Sequence, residues 1–311
     1  MMFKNATKLL VANFSLFWKV LLYKLIAVAV CALLALPVLW SWIYVLDVVN
    51  FGTAFVNFAT NTVFLNLTEL FENLFVLVQT LLSGFALLIQ TNIFAFVYTM
   101  FLILILIPFL WGLSSVPAGE CLYAYMATLS KPKFSVAFVS KLGISCVYSI
   151  LRTLLNSALL VVFASGFYGL LTLTSIQGVF QVVLPFIIFI YIVIAMAFII
   201  TFFSGWMPAT VTFNIAPAVT FKKGLKASFR RFFKILSTML FVMFVAVIGT
   251  LMLTSVSLVI ILPFTEVLVI MFEMVMFFES QGNRYYVDMD TICAPKKLEE
   301  CDKLKKTKSI I

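Results

Sequence analysis

Phe221 to Leu236 reads FKKGLKASFRRFFKIL, and the way this stretch meets a bilayer organises the rest of the chain. Wound at 3.6 residues per turn, it gathers Phe221, Leu225, Phe229, Phe232 and Leu236 on one side. Lys222, Lys223, Lys226, Arg230 and Lys234 fall on the other, with Arg231 beside them. A helix divided in this way lies in the headgroup layer, rings toward the acyl chains and cations toward the phosphates. It runs directly into an apolar stretch, so it is the doorstep of a membrane span. We expect one helix across it, and contacts from Lys222, Lys223, Lys226, Arg230, Arg231 and Lys234 to anionic lipid headgroups on the cytoplasmic side.

The start of the chain echoes this doorstep. Phe3-Lys4-Asn5-Ala6-Thr7-Lys8 matches Phe221-Lys222-Lys223-Gly224-Leu225-Lys226. With a gap of three residues, the stretch from Asn13 to Leu21 then matches that from Ser228 to Leu236. Two later apolar runs share an ending, Ser115-Val116-Pro117-Ala118 and Trp206-Met207-Pro208-Ala209, and Phe134-Ser135-Val136-Ala137 opens a weaker middle copy. These matches predict an internal repeat of a basic interfacial helix, a span out and a span back. Convergence is the competing origin, since membrane proteins reuse Phe and Lys at the cytoplasmic surface.

The totals agree on the solvent. Of 311 residues, 64% are hydrophobic and only 11% charged, against about 25% charged in soluble domains. Too little polar surface exists to cover such a body in water. The net charge of +9 does not point to nucleic acid, which needs basic residues gathered on a soluble face. Here they flank apolar runs, where anionic lipids attract them. The five cysteines show no paired spacing, and histidine, the commonest general base and metal ligand, is absent. The run from Val20 to Tyr44 is too long for a cleaved signal and reads as a retained span.

Six spans follow from hydropathy: about 21–42, 85–111, 144–167, 179–203, 235–257 and 262–278, the last two joined by a tight turn. Pro37, Pro108 and Pro185 are candidate helix breaks. Asp47 to Ser83 carries apolar residues at helical spacing opposite Asn66, Glu69, Glu72 and Asn73. It predicts an acidic helix on the other membrane surface, ended by Gly84. All 21 Lys and Arg residues fall in the N-terminal arm, the two even-numbered connections with adjoining span ends, or the tail. Short basic connections stay cytoplasmic, so both termini are expected there, in a multi-pass protein of the plasma membrane. Residues 1–283 form the six-span domain and 284–311 a charged tail with a short helix after Pro295, supported by Glu299–Lys303 and Asp302–Lys306.

The expected fold is thus an all-α polytopic bundle with interfacial amphipathic helices. In outline, through its repeated Phe-rich basic helix before a span, the chain resembles several uncharacterised bacterial six-span families. These include the membrane domain fused to some glycerophosphodiester phosphodiesterases. The resemblance implies the architecture alone. No catalytic domain of the phosphodiesterase type accompanies it, and no residue role is transferred.

Chemistry concentrates in a few intramembrane residues. Glu266 and Glu273 are seven apart, on one face of the sixth span. Carboxylates in hydrocarbon must face protein, water or a cation, or be protonated, so the pair marks either a proton- or cation-linked path or a polar contact holding the bundle. The blander arrangement puts Glu266 in the outer interface and only Glu273 deep. Arg152 in the third span is the natural partner of an acid, yet at its depth it is expected to snorkel to the headgroups, as is Lys24. Phosphate-binding loops, nucleophile elbows and metal-ligand clusters are missing, so no enzyme, metal or cofactor is expected. With one deep acid in six spans, the sequence favours an accessory or scaffold component with a membrane-protein partner. A small transporter or channel lined by Glu273, Glu266 and Arg152 is the alternative.

Overall fold

The computed structural model describes residues 2–63, 67–172, 179–289 and 291–293. The expected tail helix, its two ion pairs and Cys301 lie outside them. The chain folds as an all-α bundle in three consecutive units. The first holds α1 (Met2–Ala12), α2 (Phe14–Val48), an inserted pair α3 (Phe51–Val63) and α4 (Leu67–Thr91), then α5 (Ile93–Phe101), a π-turn (Leu102–Leu106), α6 (Ile107–Gly112) and α7 (Ser115–Thr128). The second holds α8 (Phe134–Ser140), α9 (Leu142–Thr172), α10 (Val179–Phe203) and α11 (Trp206–Phe213). The third holds α12 (Pro217–Arg230) and α13 (Phe232–Gln281), followed by β1 (Tyr285–Tyr286) paired antiparallel with β2 (Ile292–Cys293).

Six helical segments are long and apolar enough to cross a bilayer, the last two being Phe232–Gly249 and Ile260–Gln281 within α13. Although helical throughout, α13 folds back on itself. Arg231 Nη1 lies 2.9 Å from Glu279 Oε2, and a Cβ on Gly249 would stand 3.1 Å from Ile261 Cδ1. No straight helix brings such distant positions together. The expected tight turn between the last two spans is therefore present between 249 and 261.

Each unit begins alike. A short interfacial helix stops at a single non-helical residue and a span follows: Asn13 (φ −119°, ψ 31°) and Arg231 (φ −133°, ψ 26°), and Lys141 (φ −105°, ψ 9°) between α8 and α9. Superimposing these breaks corrects the register read from the sequence, because Asn13 pairs with Arg231 and no gap is needed. Buried positions then coincide: Ala6 with Gly224, Leu9 with Ala227, Leu10 with Ser228 and Phe17 with Ile235. The middle unit joins with Phe134, Ala137 and Ser145 at the places of Ala6, Leu9 and Phe17.

The break at Arg231 also corrects the reading of Phe221 to Leu236 as one helix. The face that α12 buries consists of Pro217, Thr220, Gly224, Ala227 and Ser228, with Phe221 half-buried at its edge, 4.8 Å from the Trp206 ring. Small residues permit an approach that rings forbid. Ser228 Oγ meets the Gly205 backbone N–H at 2.9 Å, and Trp206 Nε1 donates to Pro217 O at 2.8 Å. Phe229 and Phe233 point outward, 55% and 84% exposed, as rings facing acyl chains would.

In the first unit α4 continues through Gly84, and the helix breaks instead at Asn92. Asn92 Oδ1 accepts from Ala95 N–H at 3.1 Å, satisfying an N-terminal donor of α5, while its Nδ2 donates to Ser41 Oγ at 3.1 Å. Pro37 and Pro185 lie within unbroken α2 and α10. Pro108 has a different accommodation. Lacking an N–H, it leaves the carbonyl of Leu104 without its helical donor; the π-turn opens there and Ser157 Oγ donates to Leu104 O at 2.7 Å. Ser157→Ala should orphan that carbonyl and cost about 1–3 kcal/mol, seen as a lower midpoint in detergent unfolding. An unchanged midpoint would mean that water or a shifted backbone fills the role.

The two Pro-Ala endings become the first turns of α7 and α11, where proline costs no helical hydrogen bond. These helices pack on each other so closely that a Cβ on Gly119 would stand 2.5 Å from Met207 Sδ. Together with the returning arm of α13, buried from Val269 to Phe278, they form the centre of the molecule. Residues after α13 pack back on α1. Asn5 Nδ2 donates to Tyr285 OH at 2.9 Å, and that hydroxyl donates to Glu279 Oε1 at 3.1 Å. Burial pushes the Tyr285 phenol above its ordinary range.

Candidate functional site

Helix α6 ends at Gly112, within the second apolar segment Ile93–Thr128. The last carbonyls of a helix have no internal donor and carry its negative dipole end, so this terminus needs donors from neighbours. Ser149 Oγ donates to Phe109 O at 2.6 Å, Tyr23 OH to Leu110 O at 2.7 Å, and Lys24 Nζ to Trp111 O. A cation at a buried helix C-terminus is thereby explained by the helix itself.

Lys24 does not snorkel. It is 1% exposed, stands 4.3 Å above the Trp111 ring and meets both oxygens of Glu266 at 2.9 Å. Only the contact to Oε1 is aligned as a hydrogen bond, Oε2 being held by charge alone. Glu266 is half of an ion pair beside the end of α6. Arg152 does not snorkel either. Its Nη1 donates to Tyr148 OH at 2.8 Å, and Tyr148 is fully buried against Trp206, with ring centroids 5.0 Å apart.

Beside these groups lies a cavity of about 590 Å³ between α6, the start of α7, α9, α10 and both arms of α13. Its polar side shows Ser115, Ser149, Arg152, Asn156, Glu266 and Glu273. Its apolar side shows Ile107, Met196, Ile200, Met243, Val247 and Ile270. Glu273 is 1% exposed and neither carboxylate oxygen has a hydrogen-bond partner among the described residues; Asn156 Oδ1 is buried and unpartnered too. Arg152 and Glu273 act on each other electrostatically, yet no ion pair within 4.0 Å joins them. The structure thus brings together Glu266, Glu273 and Arg152, and adds Lys24.

That addition was readable from the repeat, given the correct register. Lys24, Arg152 and Val242 are each the eleventh residue past the breaks at Asn13, Lys141 and Arg231. The cations of the first two units therefore occupy one structural place, and the third unit puts an apolar residue there. The three-residue gap in the sequence alignment hid this equivalence.

The residues expected at the lipid surface divide. Lys222, Lys223, Lys226, Arg230 and Lys234 are exposed, with Lys223 Nζ 4.5 Å over the Phe213 ring. Arg231 is committed elsewhere, its guanidinium bound to the side chain and the backbone carbonyl of Glu279 at 2.9 and 3.3 Å.

Compared with protein families, curated proteins and solved structures, the chain finds no match. What stands is the coarse outline: among the described residues, six helices apolar enough to span a membrane.

Proposed function

We propose that this chain is a small membrane transporter whose cavity between α6, α9, α10 and α13 binds a polar solute. The observation that carries the reading is Glu273, a fully buried carboxylate with no hydrogen-bonding partner among the described residues, facing a cavity that Arg152 also lines. A charge stripped of water needs partners supplied by the protein or by a guest. The scaffold reading drew on a single deep acid in six spans. Four ionisable side chains converging at one broken helix supply what that count lacked. No catalysis is assigned to the chain.

The lone chain in vesicles should admit small polar solutes, and Glu273→Gln should abolish entry while leaving folded protein in the membrane. Unaltered entry in that variant would remove Glu273 from the path. The second reading, an accessory or scaffold subunit, is favoured by the exposed basic face of α12, which suits anionic headgroups or an acidic partner. Inert vesicles together with a protein co-purifying in fixed ratio would put it first.

We also place both termini in the cytoplasm of a plasma-membrane protein, from the clustering of cations on α1, α12 and the α7–α9 connection. Reporters active in one compartment, fused to the tail and inserted near Gly169, should give opposite signals. Equal signals would dismantle the topology.

A further inference from the structure

The cavity lining carries donors and acceptors that do not match each other. Arg152 carries five N–H donors in a planar fork, and Tyr148 OH is the acceptor that Nη1 meets. Such a fork matches a carboxylate. Three buried acceptor atoms of the same lining, Glu273 Oε1 and Oε2 and, one turn along α9 from Arg152, Asn156 Oδ1, meet no donor among the described residues. An ammonium group, with three N–H donors and no acceptor, is their complement.

We propose that the guest is a small zwitterion with an apolar body, its carboxylate on the Arg152 guanidinium and its ammonium between Glu273 and Asn156. The assignment rests on the solute-binding reading above and names its substrate class as that of an apolar α-amino acid. Lys24 and Glu266 satisfy each other, so they add no net charge to the cavity. Tyr148, the remaining ionisable group beside Arg152, is a neutral phenol bonded to it. With Glu273 ionised, an anion alone would leave its carboxylate without a hydrogen-bond donor, and a cation alone would leave the Arg152 fork without a carboxylate. A zwitterion leaves neither. The opposite wall, Met196, Ile200, Met243 and Ile270, offers a flexible apolar surface for the body. The volume lies in the range of small-molecule sites rather than single ions.

Three probes of nearly equal shape separate the possibilities: leucine, 4-methylpentanoate, which lacks the amine, and 3-methylbutylamine, which lacks the carboxylate. Thermal unfolding of the purified full chain is followed with each, alongside competition for solute entry into vesicles. Leucine should raise the wild-type midpoint, with each singly charged probe weaker by on the order of tenfold or more in apparent affinity. Glu273→Gln should shift preference to 4-methylpentanoate and Arg152→Gln to 3-methylbutylamine. The proposal is overturned if either singly charged probe stabilises the wild type as well as leucine does, or if leucine fails to. The wild-type comparison decides this even if a variant does not fold. Entry of other solutes without any leucine response would sink the zwitterion and spare the transporter; no entry and no response would sink both.

Discussion

Lys24→Met should destabilise the folded protein by about 3–5 kcal/mol, the usual cost of removing one partner from a buried ion pair. Lys24 has two obligations that methionine meets in neither case. It neutralises Glu266 and it donates to the carbonyl of Trp111 at the interrupted end of α6. Methionine matches its length and apolar stem, so packing against the Trp111 ring is largely retained and the loss reports on charge. The double variant Lys24→Met/Glu266→Leu should recover much of the loss, because replacing a buried pair as a whole is often neutral. The Trp111 carbonyl loses its charged donor but keeps Ser114 Oγ at 3.3 Å, so the residual cost should stay below the about 1–3 kcal/mol of an orphaned carbonyl. The cycle is read from unfolding midpoints in one detergent, with Glu266→Leu as its fourth corner. A Lys24→Met midpoint within error of wild type would mean that Lys24 reaches the headgroups after all.

The architecture was legible where it depends on coarse physics. Transfer of charge across hydrocarbon is so costly that clustered Lys and Arg, with apolar runs between them, suffice to locate six spans. The seven-residue spacing of Glu266 and Glu273 likewise put both on one helix face. What sequence could not supply is which cations stay with the headgroups. Lys24 and Arg152 sit at depths that snorkelling can span; for Lys24 the choice is made by a helix terminus at Gly112, distant in the chain, and for Arg152 by the buried Tyr148 one turn earlier on the same helix. Nor did composition reveal the single-residue breaks. Asn13, Lys141 and Arg231 have no shared chemistry that would mark them as helix breaks. Asn92 is the exception, since an asparagine accepting from the third following N–H is a recognisable cap.

Gly224→Val should be more damaging still, and it tests which face of α12 holds the third unit in place. A Cβ at Gly224 would lie 2.5 Å from Trp206 Cα and 2.8 Å from Trp206 N; one at Gly205 would lie 2.3 Å from Gly224 O. These neighbours are backbone, so they yield only if α11 and α12 separate. Gly224→Ala alone should cost about 1–3 kcal/mol, as overpacking generally does. The branched side chain of valine forces a wider gap. It should also break the contacts of Thr210 with Thr220 at 2.8 Å and of Ser204 with Ser228 at 3.1 Å, each worth about 1 kcal/mol. Lys222→Ala, two residues away and exposed, should stay within about 0.5 kcal/mol of wild type. The expected order of midpoints is wild type near Lys222→Ala, then Gly224→Ala, then Gly224→Val, with the last recovered poorly from the membrane. If the phenylalanine face anchored α12 instead, Gly224→Val would be tolerated, and Phe229→Ala, which here changes an exposed ring, would be the variant that failed to assemble.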